Sequence, residues 1–277
     1  MGKHGMEHPA DVDGALDRLV QRPEVGPSRW RHPAVARLLY APGVEQALAA
    51  SAPGQHVLDV GAGLGSVARA LALAGRHVTA LDAAAVACAG ARRTLQGTAA
   101  VVVEARFGPA DGLAAGSFDV IRFGRVLHHV PDLAAAVDHA VELLAVGGRV
   151  VVEEFAPEQI DERLAGWLSV QAEALAAAGV ALDALPPSAA RSLADWQAKV
   201  ARLALIPAAV VQAAVARRFA LGAARWEAGL WPDVAKRIVD PAQAGTIAHR
   251  LAAAEAEGVC SGALPGVILR FEGTRYD

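Results

Sequence analysis

Two carboxylates and three glycines are spaced as if to work on one ligand. In Val57-Leu58-Asp59-Val60-Gly61-Ala62-Gly63-Leu64-Gly65-Ser66, a short apolar run ends in glycines at alternate positions. Glycines at a strand-to-helix turn reach positive φ and let the backbone approach a ligand closely. A dinucleotide fingerprint, G-x-G-x-x-G/A, needs its third small residue at position 66, where this chain carries Ser66 just after the third glycine. Asp59 adds a negative charge at the strand end, which suits a cationic ligand and repels a phosphate. Ser66 and Asp59 together disfavour a nicotinamide dehydrogenase. Asp82 follows Gly65 by 17 residues, at the end of the next strand, where an acidic side chain meets the two ribose hydroxyls in such folds. A carboxylate–hydroxyl bond there is worth about 1.5–3 kcal/mol. The set describes a nucleoside with a cationic, unphosphorylated tail. The duller alternatives are a tight turn for the glycines and a helix N-cap for Asp82.

A second group lies in Gly124-Arg125-Val126-Leu127-His128-His129-Val130-Pro131-Asp132, after the fourth strand and at the C-terminal edge of the sheet, where doubly wound folds bind ligands. A histidine titrates near neutrality, so His129 or His128 could take a proton from a phenol or hydroxyl, His129 being preferred. Alternatively, the pair packs and caps locally. Arg125 could bind a carboxylate of the cofactor or of an acidic substrate, or form a surface salt bridge. Of Glu153 and Glu154, one could orient a substrate or begin a helix, and Asp119 reads as a structural acid.

These residues need a frame. Apolar runs at 56–60, 77–81, 100–103, 118–123 and 149–152 alternate with helical patterns, among them 84–96 and the stretch that Asp132 caps. That order predicts an α/β fold with a doubly wound, mostly parallel sheet. A helical stretch with a break at Pro42-Gly43 precedes it. From 157 to 256 the chain reads as helix after helix, and a strand pattern returns at Gly266–Glu272. The expected organisation is a helical lead-in over 1–50, a ligand-binding core over 51–155, a helical substrate cap over 156–262 and a final edge strand within 263–277. Trp167, Trp196, Trp226 and Trp231 fall in the cap and suggest an apolar pocket, or else pack its helices together.

Composition narrows the function classes. The 277 residues are 54% hydrophobic, but 65 alanines inflate that figure, and 3 lysines stand against 23 arginines. A net charge of −3 without a basic stripe argues against nucleic acid. No apolar run approaches the roughly 18 residues of a membrane span, and the first residues lack a signal-peptide core, so a cytoplasmic protein with no membrane partner is expected. Two cysteines and scattered histidines give no metal-ligand spacing, and no metal is expected. A homodimer stays open.

The chain resembles the class I S-adenosylmethionine-dependent methyltransferases, in the small-molecule group that includes the ubiquinone-biosynthesis type. The matching stretches are VLDVGAGLGSVARALA (57–72), VTALDA (78–83), GSFDVI (116–121), RVLHHVPD (125–132) and LLAVGGRVVVEEF (143–155). The resemblance implies a Rossmann-like methyltransferase fold with S-adenosyl-L-methionine as cofactor. It implies methyl transfer to oxygen, nitrogen or carbon of a small molecule, such as a secondary metabolite or cofactor precursor. By it, Gly61, Gly63 and Gly65 line the methionine and ribose portion and Asp82 holds the ribose hydroxyls. Asp59 supports the ammonium end directly or through water, and Ala83, Gly124 and Arg125 complete the cofactor set. The family often carries an acid just after the third strand, facing the adenine amino group. The run Val103–Asp111 has none in register, so Arg106 or Phe107 would flank the adenine, with Asp111 as a displaced substitute. Two other readings stay open: a member repurposed for cyclisation or rearrangement, and a non-catalytic cofactor-binding subunit.

Overall fold

The computed structural model describes residues 32–184 and 189–276. The lead-in through residue 31 and the Pro186-Pro187 break lie outside them. Helix α1 (Pro33–Ala49) runs straight through Pro42-Gly43, where the sequence pattern breaks. Proline forfeits one backbone bond, but Val35 and Leu39 before it and Val44, Ala47 and Leu48 after it are all buried. The shared apolar face carries the helix across the break. Gly43 is required there, because a Cβ on it would come within 2.5 Å of Glu153 Oε2.

The predicted alternation follows as β1 (His56–Val60), α2 (Ser66–Leu73), β2 (His77–Asp82), α3 (Ala85–Thr94), β3 (Val101–Glu104), β4 (Phe118–Gly124), α4 (Leu133–Leu143) and β5 (Leu144–Phe155). Strands β1 to β5 pair in parallel, and Asp132 N-caps α4 through the Ala135 amide at 3.0 Å. Strand β5 begins five residues before the expected Arg149: Leu144 pairs with Phe118 and Arg149 with Val120, so residues 145–148 bulge out between them.

Beyond β5 the expected run of helices is divided in two. Helices α5 (Glu162–Ala177) and α6 (Ala189–Leu203) form a first insertion. Helix α7 (Ala208–Ala216) then returns to cover the sheet beside α4, and the short strands β6 (Phe219–Leu221) and β7 (Arg225–Glu227) follow. A second insertion, α8 (Pro232–Ala235) and α9 (Pro241–Cys260), precedes β8 (Ile268–Arg275). The sheet order is β3-β2-β1-β4-β5-β8-β6, with β7 also on β8. Strand β8 is antiparallel to β5, and its outer side carries β6 and β7. The terminal strand is therefore interior rather than the edge strand read from sequence. Phe-Ala-Leu and Arg-Trp-Glu are too short to show a strand period, and Gly222 separates them.

Three apolar clusters result. One packs α4 and α7 on one face of the sheet around Phe123, Leu127, Leu143, Phe219 and Phe271. The second packs α1 and α2 on the other face around Val57, Leu71, Val78 and Val151. The third joins the start of α1 to both insertions through Leu39, Leu164, Leu168, Trp231 and Leu251. Among the described residues no single helix is long and apolar enough to cross a membrane.

A buried carboxylate holds the second insertion. Glu255 of α9, fully buried, accepts from the backbone N–H groups of Gly229, Leu230 and Trp231 at 2.6–3.2 Å. Burial raises its carboxyl above the ordinary value, and those three amides act against that shift. Removing the side chain strands three donors away from water. We predict that Glu255→Ala destabilises the fold by about 2–4 kcal/mol. Urea unfolding should show a lower midpoint at unchanged slope, and an unchanged midpoint would refute the role.

Candidate functional site

Strand β1 ends at Val60 and the chain climbs through Gly61, Gly63 and Gly65, all at positive φ (74°, 55° and 78°). Each glycine has its own reason. A Cβ on Gly61 would lie 2.7 Å from Val126 Cβ, and one on Gly65 would press on Ala91 at 3.2 Å. At Gly63 a Cβ would meet nothing within 4 Å, so the backbone there is open to an approaching molecule. The Gly63 N–H donates to Asp82 Oδ2 at 2.9 Å, and the Ala84 N–H donates to Oδ1 at 2.9 Å. Asp82 is thus aimed by the glycine loop and by the start of α3.

Beside it opens a cavity of about 410 Å³, within the roughly 300–1,000 Å³ range of sites that enclose a small ligand. Gly61, Asp82, Ala83, Arg106, Phe107 and His129 line it, with apolar walls from Leu81, Ala105, Val126 and Val130. Six of the residues singled out in the sequence meet here. Gly63 touches the site through Asp82, and Gly65 packs behind it. Asp111 does not reach the cavity. It is buried, accepts from the Gly108 and Leu113 amides, and lies 3.0 Å from His139 Nε2, which makes it a brace for the loop after β3.

Asp59 lies behind the loop, fully buried, its Oδ1 accepting from Arg122 Nη1 at 2.7 Å. Burial raises its carboxyl against the pull of Arg122, and its Oδ2 is buried with no hydrogen-bond partner. Asp59 and Arg122 are register partners on β1 and β4, and Glu153 and Arg270 are register partners on β5 and β8. Arg122 reaches Glu153 at 3.6 Å, Glu153 pairs with Arg270, and Arg270 bonds Glu227 of β7 at 2.7 Å. Negative and positive side chains alternate across five strands. Arg125 adds a branch, its Nε on Glu153 Oε1 at 2.5 Å and its N–H on the Glu153 carbonyl at 2.6 Å. Those two bonds hold Arg125 at φ 56°, in the left-handed region that non-glycine residues rarely adopt. Gly124 gives the Arg122 guanidinium room. Burial opposes ionisation of Glu153, but Arg125, Arg270 and Arg122 prevail and hold its carboxyl far below the ordinary range.

The histidines separate. Both sit in a short 3₁₀ turn, Leu127–His129, with ring centroids 4.1 Å apart. His129 lines the large cavity and is exposed to solvent, and partial desolvation together with His128 holds its imidazole below the ordinary value. His128 is buried, its Nδ1 bonded to Glu154 Oε2. Glu154 also accepts from the Val126 and Leu127 amides at 3.0 and 2.7 Å. With Nδ1 engaged, Nε2 is the nitrogen left to meet a ligand. His128 lines a second cavity, of about 200 Å³, with Arg125, Phe155, Trp196, Lys199, Leu230 and Lys236. Side chains of 125–129 therefore face both cavities and form their common wall. Of the four tryptophans expected in the cap, Trp196 alone lines this cavity. Trp231 and Trp167 pack helices, and Trp226 is exposed. Lys199 and Lys236 escaped the sequence reading, although their scarcity was a usable signal. Among the described residues no three of His, Cys, Asp and Glu converge as a metal set.

Comparison with known proteins agrees with this geometry. A family model described as "Methyltransferase domain" matches residues 31–204. The ubiquinone biosynthesis O-methyltransferase of Xylella fastidiosa (strain 9a5c) is 43% identical over 103 residues, covering 36% of this chain and 41% of that protein. Its counterpart in Bordetella avium is 40% identical over 109 residues, covering 38% and 44%. The chain thus spans about two fifths of the curated relatives it matches. Among solved structures, an S-adenosylmethionine-dependent methyltransferase from Mesorhizobium loti superposes with a TM-score of 0.54 at 21% identity, over 86% of this chain and 98% of that one. The geranyl diphosphate C-methyltransferase of Streptomyces coelicolor A3(2) gives 0.54 at 14% identity, over 93% and 84%. At such identities the structures speak for the fold, a Rossmann-like sheet with added helices.

The charge ladder makes two predictions. Arg122→Met leaves Asp59 and Glu153 buried with less counter-charge and should cost about 3–5 kcal/mol in urea unfolding; a cost under 1 kcal/mol would mean that the ladder carries no stability. Because the folded state depresses the Glu153 carboxyl, its contribution is present above the ordinary value of 4.5 and is lost as pH falls below it. The stability gap between wild type and Glu153→Gln should therefore be widest near neutrality and narrow on acidification. A gap that widens toward low pH would contradict the assignment.

Proposed function

We propose that this chain, which belongs to the methyltransferase-domain family, transfers a methyl group from S-adenosyl-L-methionine to a small-molecule acceptor. The observation that carries the reading is Asp82, pinned by the Gly63 and Ala84 amides on the wall of an apolar cavity of about 410 Å³. The residues present suit that cofactor. Asp82 offers carboxylate oxygens to a pair of ribose hydroxyls, and the open side of Gly63 admits close backbone approach. Asp59, fully buried and paired with Arg122, braces the loop from behind and does not line the cavity. Ala83, Ala105 and Phe107 offer an apolar slot for the adenine, with Arg106 beside it.

When bound, the cofactor supplies a sulfonium-activated methyl group, ready for in-line displacement by a nucleophile. The chain's share is alignment, which can account for about 7–11 kcal/mol of a barrier, and management of the acceptor's proton. For the proton we favour His128 over His129. The Glu154 carboxylate fixes the His128 ring through Nδ1, so Nε2 can accept a proton from an acceptor hydroxyl or amine while Glu154 stabilises the imidazolium. The Val126 and Leu127 amides keep Glu154 in place. His129, on the other cavity, lies against the His128 ring and serves as wall.

Two outcomes test this reading. Asp82→Ala should weaken S-adenosylhomocysteine binding by at least tenfold in isothermal titration, the loss of one or more charge-assisted hydrogen bonds; unaltered affinity would remove the cofactor assignment. With any acceptor that is turned over, His128→Ala should lower kcat by about 10² to 10⁴ and leave S-adenosylhomocysteine affinity unchanged. A larger loss for His129→Ala than for His128→Ala would reverse the choice of base.

A further inference from the structure

We propose that the 200 Å³ cavity takes the acidic group of the acceptor, and that the acceptor is a compact organic carboxylate with an apolar body. The inference deepens the methyl-transfer reading and rests on it only in calling the bound acid an acceptor.

Three cationic side chains, Arg125, Lys199 and Lys236, converge on that cavity against one carboxylate in its lining, Asp233, which takes Lys236 at 2.5 Å. They come from three separate parts of the fold: the crest of the sheet, α6 of the first insertion and the turn after α8 of the second. A solvated charge run on one helix would not assemble this way. The chain has only three lysines beside 23 arginines, and two of the three meet here. Lysine presents a compact point charge where arginine presents a broad fork, which suits one small anion in a small space. Arg125 shares its counter-ion, since Glu153 is divided among Arg122, Arg125 and Arg270.

Apart from His128 and Gly229, the rest of the lining is apolar. Leu39, Phe155, Trp196 and Leu230 surround the charges, Phe155 and Trp196 meeting edge to face at 5.4 Å and Lys199 Nζ lying 4.4 Å from the Trp196 ring centroid. The volume is below the range of sites for drug-sized ligands, so one ring or a short chain fits with its acid group. His128 lines the same cavity, which puts the proposed base beside the bound acid.

Isothermal titration of the full chain with benzoate and its neutral analogue benzamide tests the proposal. Benzoate should bind at least tenfold more tightly than benzamide, and Lys199→Met/Lys236→Met should remove that preference. The same double variant should keep S-adenosylhomocysteine affinity, which also reports that it folds. Lys199 is exposed on α6, so Lys199→Met alone provides a variant with no demand on the core, and it should weaken benzoate by about threefold or more. Equal affinity for benzoate and benzamide, or undiminished benzoate binding in both lysine variants, overturns the proposal. Phenyl phosphate binding more tightly than benzoate would overturn the choice of a carboxylate, and inorganic phosphate binding as well as benzoate would overturn the apolar body. If benzoate binds as expected but S-adenosylhomocysteine does not bind the wild type, the methyl-transfer reading fails and the acid site stands.

Discussion

Five strands of this sheet are tied together through their side chains by alternating charge. Asp59, Arg122, Glu153, Arg270 and Glu227 run across β1, β4, β5, β8 and β7 on the face covered by α1 and α2. Removing such charges from water costs several kcal/mol per ion, an expense recovered only when each finds opposite partners at close range. That condition constrains everything around it. The main-chain path of α1 passes Gly43 over the Glu153 carboxylate, Gly124 is bare beside the Arg122 guanidinium, and Arg125 is pulled into an unusual φ. The crest of the sheet, from which both cavities are built, takes its shape from charges packed beneath it.

Strand alternation then separates two neighbouring acids. Glu153 shares its face with Val151, toward α1, and serves the ladder; Glu154 shares its face with Val152, toward α4 and α7, and serves His128. One residue of displacement along β5 distinguishes a structural acid from one that orients an imidazole. The two insertions add a similar separation on a larger scale. The apolar cluster joining them to α1 is distinct from those on the sheet, so the wall of the small cavity can change its residues without disturbing the glycine loop.

Much of the site was readable because its signals are local. Glycine spacing at a strand end, Asp82 at the next strand end and the Asp132 cap each depend on a few consecutive residues. What stayed hidden depends on partners far apart in the chain. Asp59 looks ready for a ligand until Arg122, 63 residues later, appears beside it; a doubly wound sheet sets β1 beside β4, but no local pattern gives the register that pairs these two residues. The choice between His128 and His129 required Glu154, and Asp111 looked available until His139 took it. The helical reading of 157–256 failed where packing overruled pattern, since Phe219–Leu221 and Arg225–Glu227 become strands only because β8 offers them an edge. Lys199 and Lys236 are 37 positions apart and meet only through the two insertions.

The way the sheet ends has a consequence for how copies of the chain treat one another. An unpaired strand is a template on which another chain can build. The long apolar strands β1, β4, β5 and β8 are all flanked on both sides. What faces outward is β3, four residues ending in Glu104 and within reach of Arg92, and on the other side two three-residue strands interrupted at Gly222. Among the described residues, both margins are runs of three or four residues, short templates for a partner strand. In a chain this rich in valine, leucine and alanine, the sheet hides its adhesive segments by ordering its strands so that the shortest ones finish it.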